Sequence, residues 1–263
     1  MLVVALLCPA VGQEIRFDQL TKGVVLSRLR EALKDNRQRA GNLEKLLDEA
    51  GCTGKLAEQP VKHLKAPNVV CTWPGATDRR ILVSAHTDHV QLGDGTVDDW
   101  SGASMLADLL ESLRATPRRH TFVFIGFAGE EEGLVGSRFY VNALTPAERD
   151  EISALVNIEC LGLSPTAVWL SHADGQLMRV AETAAAKSKV RLRAINVDQV
   201  GLDDAMVFRD RRVPTITFHS VTQQTLGILH SRRDTYRAIN PDEYYDSYRF
   251  LATYLACADG ALQ

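Results

Sequence analysis

The sequence predicts an α/β fold, a three-layer α/β/α sandwich whose central sheet is mixed but mostly parallel. Three observations support this prediction. Short apolar runs, of which Arg80–Ala85 and His120–Ala128 are the clearest, are typical of strands buried on both faces. These runs alternate along the chain with amphipathic helical patterns, as in a parallel sheet covered by helices. No internal repeat or low-complexity linker divides the 263 residues, a length compatible with one domain.

The first segment, Met1–Gln13, is a short apolar run that ends in small residues. It resembles a secretory signal peptide with cleavage near Gly12, although the usual positively charged leading segment is missing. The alternative is a buried N-terminal strand. The run is too short to cross a bilayer as a helix. We therefore expect export, to a secreted or periplasmic location, with residues 14–263 forming a single domain.

The region Phe17–Ala50 has a helical pattern, because its leucines and valines recur at helix-like spacings. Gly41 and Asn42 are predicted to separate two helices there. The remaining predicted strands are Asn68–Trp73, joined through a Pro74–Gly75 turn to Arg80–Ala85, then His120–Ala128, Ala154–Glu159, Ala167–Ser171 and Pro214–His219. The remaining predicted helices are Ser101–Ala115, Ser137–Leu144, Gln176–Ser188, Asp203–Arg211 and Pro241–Ala258.

Composition narrows the classes of partner. The chain carries 30 basic and 33 acidic residues, a net charge of −3, and 45% of its residues are hydrophobic. This balance gives no electrostatic reason to expect nucleic acid or an anionic membrane as partner. The five cysteines include no CxxC pair, so a thiolate zinc site is not expected. A Cys52–Cys71 disulfide is conceivable in an oxidising compartment, but the four cysteines beyond Cys8 allow three pairings.

Metal-ligating side chains follow several of the predicted strands, or lie in glycine-containing loops. Ligand sites in sheets of this kind form beyond the carboxyl ends of the strands. Histidine and carboxylate ligands suit zinc, and a hydrolytic zinc site also needs a base beside the attacking water. The positions concerned are His86, Asp98, Glu130 with Glu131, Glu159 and His230.

At these positions the sequence resembles the M28-type peptidases, a family of co-catalytic zinc exopeptidases. The resemblance runs from about Asn68 to about Tyr236. It is carried by Ser84-Ala-His86-Thr-Asp88, by Asp98 in Gly95-Thr-Val-Asp98-Asp99-Trp-Ser-Gly102, by Glu130-Glu131-Glu132-Gly-Leu-Val-Gly136-Ser137, by Asn157-Ile-Glu159 and by His230.

The resemblance implies a metallopeptidase catalytic domain that binds two zinc ions and acts on the N-terminus of a peptide or protein. Asp98 is expected to bridge the two ions, and Glu130 to be the general base. The remaining implied metal ligands are His86, Glu131, Glu159 and His230. Asp88 is expected to accept the second ring N–H of His86 and so fix its tautomer.

Three features of the sequence bear on how its residues match the family pattern. Alignment on Gly133 selects Glu130 and Glu131 rather than Glu132, and the distance to Ser101 and Gly102 selects Asp98 rather than Asp99. Glu159 replaces the family's usual aspartate, as in carboxypeptidase-type members of the wider clan. Asp204, in Asp203-Asp204-Ala-x-x-Phe208, resembles an aspartate near the substrate pocket, with helix N-capping as the alternative.

Several functions therefore remain open. The leading prediction is an aminopeptidase. The alternatives are a glutaminyl cyclase-like acyltransferase of the same fold, a carboxypeptidase-type member, and a catalytically silent binding domain. The preferred N-terminal residue and the oligomeric state are not predicted. The other histidines are interpreted as structural or surface residues: His63, His89, His120, His172 and His219.

Overall fold

A computed structural model describes residues 2–8, 13–198 and 201–262. Within these residues the strands are Leu2–Cys8 (β1), Gln13–Gln19 (β2), Leu56–Gln59 (β3), Asn68–Trp73 (β4), Arg80–His86 (β5), Thr121–Phe127 (β6), Ile152–Ile158 (β7), Ala167–Val168 (β8), Arg193–Ala194 (β9) and Thr215–His219 (β10). The helices are Lys22–Leu29 (α1), Asn36–Leu47 (α2), Ser101–Leu113 (α3), Val135–Ala143 (α4), Pro146–Asp150 (α5), Gly175–Ser188 (α6), Asp204–Arg209 (α7) and Pro241–Ala261 (α8).

Strands β3 to β10 form one mixed sheet of eight strands in the order β3-β4-β6-β5-β7-β10-β8-β9. The four central strands β6, β5, β7 and β10 run parallel to their neighbours within that group. Antiparallel pairing occurs at β3–β4, β4–β6 and β10–β8. The predicted α/β fold with a mostly parallel, mixed sheet is confirmed.

Helices cover both faces of this sheet. Along β5, Ile81 and Val83 pack into the larger apolar cluster, whereas Leu82 between them packs into a smaller one. This alternation is the period of two that a strand covered on both faces requires. Helices α1, α2, α3, α6 and α8 supply the larger cluster, and α4 and α7 supply the smaller one.

Helix α8 supports the start of α3. Directly before α3 lies the turn Thr96–Trp100, which contains Asp98 and is called the Asp98 turn below. The Tyr244 hydroxyl donates to the Ser101 carbonyl oxygen at 2.8 Å. Tyr248, one turn later, accepts the backbone N–H of Leu20 at 2.7 Å. Both tyrosine side chains are fully buried. Helix α8 thus fixes the start of the helix into which the Asp98 turn leads.

The N-terminal region differs from the prediction in two ways. Residues 17–19, predicted as the start of a helix, belong to strand β2, and the two helices are separated near residues 30–35 rather than at Gly41. The Asp35 side chain caps α2 by accepting the N–H of Gln38, which sets the start of that helix. Gly41 lies inside α2, where its cost in helix propensity is outweighed by the buried face of the helix.

Strand β1 pairs with β2 along its whole length, from Leu2 opposite Gln19 to Cys8 opposite Gln13. Leu2 and Val3 are exposed. The predicted cleavage point near Gly12 lies outside the described residues, and the signal peptide stays a prediction. Among the helices in the described ranges, none is long and apolar enough to cross a membrane.

Three smaller features also bear on the predictions. The conceivable disulfide is present, joining Cys52 to Cys71, and it leaves Cys160 and Cys257 as buried thiols. Strand β8 is shorter than the predicted Ala167–Ser171, because a single helical turn begins at Leu170. Strands β4 and β5 follow one another in the chain but are separated in the sheet by β6.

Candidate metal centre

The predicted ligands gather at one edge of the sheet. His86 is the last residue of β5, and Glu159 follows the end of β7 directly. Glu130 and Glu131 follow β6 after a short turn. Because these strands are parallel, their carboxyl ends lie at the same edge. The remaining two ligands come from turns that reach this edge, Asp98 from before α3 and His230 from after β10.

Asp98 lies at the centre of the group. Its Oδ1 is 3.0 Å from His86 Nε2, and its Oδ2 is 3.2 Å from His230 Nε2. The carboxylate is buried, and each of its oxygens faces a different imidazole. A carboxylate placed in this way can bridge two cations, one on the side of each histidine.

Glu131 completes one side of the group. Its Oε2 is 3.0 Å from His230 Nε2, and its Oε1 is buried without a hydrogen-bond partner in the described structure. Ligand atoms of Asp98, Glu131 and His230 all lie within 4.8 Å of one another. One nitrogen and two carboxylate oxygens in this arrangement fit a zinc ion.

Glu159 lies on the His86 side. It lines a cavity together with the other predicted ligands. Its Oε1 accepts a hydrogen bond from Asn157 Nδ2 at 2.8 Å. Its carboxylate is not among the atoms that converge within 4.8 Å in the described ranges. Burial, followed by the carboxylates of Asp203 and Glu130, raises the pKa of Glu159 well above its ordinary value. A cation beside Glu159 would relieve this repulsion.

Asp88 orients its neighbours differently from the prediction. The nitrogen Nδ1 of His86 is 3.0 Å from the main-chain oxygen of Asp88, and 3.7 Å from its carboxylate. The carboxylate instead accepts the backbone N–H groups of Glu130 and Glu131, each at 3.1 Å. An Nδ1–H donated to the main chain orients the ring so that Nε2, the nitrogen available to a metal, faces Asp98. Asp88 therefore positions both the histidine and the glutamate loop.

Two aspartates that the sequence did not single out as ligands hold the Asp98 turn. Asp99 accepts the backbone N–H groups of Gly102 and Cys160 at 2.9 and 3.0 Å, so its carboxylate is used within the fold. Asp234 accepts the N–H groups of Val97 and Asp98. The peptide bond between Asp98 and Asp99 is cis. These contacts place Asp98, rather than Asp99, between the histidines.

The site carries an excess of acidic groups, and the pKa values reflect it. Burial, and then the carboxylates of Asp204, Asp98 and Glu131, raise the pKa of Glu130 to about 9. Burial would lower the pKa of His86, but its contacts with Asp88 and Asp98 raise it well above the ordinary value. Carboxylates that hold protons and histidines that retain charge both indicate a site with an affinity for cations.

Asp204 lies beneath this group rather than in the cavity. It is the first residue of α7 and is 1% exposed, whereas the N-cap of that helix is Asp203. The N-capping alternative for Asp204 is therefore wrong. Neither carboxylate oxygen meets the geometry of a hydrogen bond among the described residues. Burial raises the pKa of Asp204 to about 7, and the nearby Ser137 side chain opposes part of that rise.

A cavity of about 410 Å³ opens beside the ligands. Its polar floor contains Glu130 and the predicted metal ligands. The apolar part of its lining consists of Leu134, Trp169, Val197, Leu202, Val221, Leu226 and Leu229 and is called the apolar wall below. Sequence reasoning missed this wall, because its residues come from separate loops that no local pattern connects.

His219 also lines the cavity, although its sequence context predicts no role at the site. Its Nδ1 accepts the N–H of Val221 at 3.1 Å, and its Nε2 lies 3.1 Å from the carbonyl oxygen of Ile195. Burial lowers the pKa of His219 to about 4. It is therefore a neutral residue that fixes two loops of the cavity wall, in agreement with a structural role.

Comparison with known proteins agrees with this geometry. The sequence profile described as Peptidase family M28 matches residues 68–255, which include every predicted metal ligand. The chain belongs to this family. The fold is also found in solved structures of low sequence identity. A zinc aminopeptidase from Bacillus subtilis superimposes with a TM-score of 0.66 at 21% identity, over 72% of this chain and 49% of that one.

Two further proteins are similar to this chain, one in sequence and one in fold. Aminopeptidase YwaD of Bacillus subtilis strain 168 is 27% identical over 161 residues, which are 60% of this chain and 33% of that protein. A glutaminyl cyclase from an Acidobacteriales bacterium has a TM-score of 0.71 at 16% identity, over 90% of this chain and 92% of that one. The chain thus spans a minor part of the aminopeptidases named here, and its fold is shared with an enzyme of a different activity.

Proposed function

We propose that this chain is a zinc-dependent exopeptidase that removes residues from the N-terminus of peptides or proteins, using two zinc ions. One observation carries the proposal above the others. The two oxygens of the buried Asp98 face two different histidines, His86 and His230. A carboxylate shared in this way provides one oxygen for each of two cations.

The residues present fit such a pair of ions. His230, Glu131 and Asp98 would hold one zinc, and His86, Glu159 and Asp98 the other. The unpartnered, buried Oε1 of Glu131 supports this assignment, because a buried carboxylate oxygen is costly without a proton donor or a cation. When bound, zinc would polarise the scissile carbonyl group and acidify the attacking water.

Glu130 is proposed as the general base. Its side chain lines the cavity next to the ligands, and its backbone N–H is held by Asp88. Glu130 would accept a proton from the attacking water and donate it to the nitrogen of the leaving amine. A carboxyl group with a raised pKa is suited to both steps, and cations nearby would lower that pKa towards neutrality.

The charges around the cavity favour an aminopeptidase over a carboxypeptidase. Four carboxylates line it, those of Asp98, Glu130, Glu131 and Glu159. The guanidinium group of Arg138 is the one arginine or lysine cation in the described lining, and its Nε donates to the carbonyl oxygen of Gly133. Acidic groups attract a substrate's free amine, whereas a C-terminal carboxylate needs a cation. The apolar wall favours an apolar N-terminal residue.

Glutaminyl cyclase-like acyl transfer is the second candidate, supported by the shared fold. It differs in needing an N-terminal glutamine. A carboxypeptidase-type activity is suggested by Glu159 in place of aspartate. A silent binding domain would bind zinc or peptide without turnover.

Export remains part of the proposal, and the Cys52–Cys71 disulfide supports it because such bonds persist in oxidising compartments.

The test is an activity panel. Purified protein is assayed with and without a metal chelator against aminoacyl chromogens, C-terminally blocked peptides, N-terminally blocked peptides and glutamine-initiated peptides. We expect chelator-sensitive release of N-terminal residues, restored by zinc. Ring closure of glutamine without hydrolysis would favour the cyclase, and cleavage limited to N-terminally blocked peptides the carboxypeptidase. Chelator-insensitive activity, or none after zinc is restored, would contradict the proposal.

A metal titration tests the least typical ligand. Zinc binding is counted for wild type and for Glu159→Ala by titration against a chromophoric chelator. We expect the variant to lose one of two zinc equivalents. Unchanged stoichiometry would remove Glu159 from the ligand set and leave the rest of the proposal intact.

A further inference from the structure

Arg39 is a fully buried cation that has no carboxylate among its direct hydrogen-bond partners in the described residues. It belongs to α2, and its exposure is 0%. Within the part of the chain that the structure describes, its hydrogen bonds go to main-chain carbonyl oxygens. Nε donates to Thr87 O, Nη1 to Leu33 O at 3.1 Å and Asp94 O at 3.2 Å, and Nη2 to Gly95 O at 3.0 Å. A buried arginine usually pairs with an acid, so this arrangement requires a specific explanation.

The carbonyl groups that Arg39 contacts belong to the two segments that carry His86 and Asp98. Thr87 is the residue directly after His86, and Gly95 lies three residues before Asp98. The guanidinium group is planar and rigid, and its N–H groups point in fixed directions. One side chain therefore fixes the distance between the two loops from beneath the site.

The surroundings keep this side chain in its cationic form. Burial lowers the pKa of Arg39 to about 10, while Asp99, Asp88, Asp234 and Asp98 oppose that shift. The guanidinium carbon also lies 5.4 Å from the centre of the Trp100 ring, within the range of a cation–π contact. Arg39 thus stays charged at neutral pH and offsets part of the negative charge of the site.

A second buried arginine shows what a purely structural role looks like. Arg118, 7% exposed, also donates to main-chain oxygens, those of Leu113 and Arg16, and in addition to the Thr116 hydroxyl. Burial lowers the pKa of Arg118 to about 10 as well. Its partners lie in segments that carry no predicted ligand. Both arginines are buried and donate to main-chain oxygens, and they differ in the segments that they hold.

We propose that Arg39 is a positioning residue that sets the separation of His86 and Asp98 and thereby the zinc affinity of the site. This inference rests on the proposed function, since it assumes that these residues bind zinc. Without Arg39, the three carbonyl groups of the two loops would lose their donor. The loops would then be held less tightly, through contacts such as the 3.4 Å hydrogen bond from the His86 N–H to the Asp99 carboxylate. Lysine keeps the charge, but its donors share one nitrogen and cannot reproduce the spread of N–H groups over the three nitrogens of the guanidinium.

The experiment compares Arg39→Lys, Arg39→Met and the control Arg118→Met. Zinc affinity is measured by competition with a chromophoric chelator, and folding by circular dichroism and urea denaturation. We expect both Arg39 variants to bind zinc about 10- to 100-fold more weakly, the usual effect of removing a group that orients metal ligands. Arg118→Met should lose stability but retain the affinity of the wild type.

Cobalt(II) substitution gives a second readout, because its visible absorption spectrum depends on ligand geometry. The spectrum should change in Arg39→Lys and not in Arg118→Met. If Arg39→Met does not fold, the affinity and spectrum of Arg39→Lys decide the question.

Wild-type affinity in folded Arg39 variants, or an equal loss in Arg118→Met, would overturn this inference alone. Wild-type protein that binds no zinc would contradict the proposed function, and this inference with it.

Discussion

Glu130 is the one carboxylate of the cavity floor that is proposed for proton transfer rather than for binding metal. We expect Glu130→Gln to keep its zinc and to lower kcat by at least about 100-fold, the usual contribution of a positioned base. Zinc content and steady-state kinetics check this together. Glu132→Gln is the matched control, since Glu132 is exposed and does not line the cavity. Near-normal turnover in Glu130→Gln would move the base to another residue, with Glu131 the first to test.

Because Asp204 is buried, we expect the free energy of unfolding to depend on pH. Its pKa is about 7 in the folded chain, against 3.8 for an unperturbed aspartate, because burial disfavours the charged form. The folded state therefore binds an extra proton between these values, and stability falls as pH rises from about 4 to about 7. In chelator-treated protein at pH 8, Asp204→Asn should be more stable than wild type by about 2–4 kcal/mol.

Urea denaturation of both proteins at pH 5 and pH 8 measures this difference. At pH 5 most of it should vanish, because Asp204 is then largely protonated in the folded state. Asp78→Asn, at an exposed position, is the control and should not change the pH dependence. A wild type that is more stable than Asp204→Asn at pH 8 would mean that the buried carboxylate has a partner which stabilises its charge.

At the scale of elements, two glycines in helices have opposite surroundings. A Cβ atom at Gly102, in the first turn of α3, would lie 2.5 Å from both the Asp99 carboxylate and the Ile158 carbonyl oxygen. A Cβ atom at Gly41, in α2, would meet nothing within 4 Å. We expect Gly102→Ala to lower the free energy of unfolding by about 1–3 kcal/mol. Gly41→Ala should raise it by about 1 kcal/mol.

Urea denaturation of the two variants measures both changes, and zinc titration shows whether the metal centre is affected. Gly102→Ala should also weaken zinc binding, because it displaces Asp99, which holds the Asp98 turn. A stable Gly102→Ala protein with normal zinc affinity would show that the turn before α3 adapts without moving Asp98.

At the scale of the whole molecule, metal binding should be coupled to folding. The ligands come from five separate segments between His86 and His230, so an unfolded chain cannot present them together. At zinc concentrations about 1,000 times the dissociation constant, each site should add about 4 kcal/mol to the free energy of unfolding.

Urea denaturation with saturating zinc, compared with chelator, measures this coupling. Asp98→Asn serves as the control, because it weakens the one ligand that both sites share, and zinc should stabilise it much less. Equal stability of the wild type with and without zinc would contradict a metal centre built from these residues.

Much of the fold could be predicted from the chain alone, and the reason is local. The central strands are continuous apolar runs, and α3 and α8 have clear amphipathic patterns, so periodicity places them. The errors fall where a local signal competes with another. Gly41 and Asn42 suggested a break between helices, but the Asp35 cap and the buried leucines of α2 determine where that helix begins and continues.

The sequence by itself determined the family, the strand-end ligands and the order in which they occur, because those residues lie in short motifs with fixed spacing. Only the tertiary structure decided how they meet. It placed Asp98 between two histidines separated by 144 residues, assigned Asp99 and Asp234 to supporting that turn, and brought Arg39 beneath both loops. These contacts join residues far apart in the chain, and no local pattern encodes a distance between segments that only the packed core brings together.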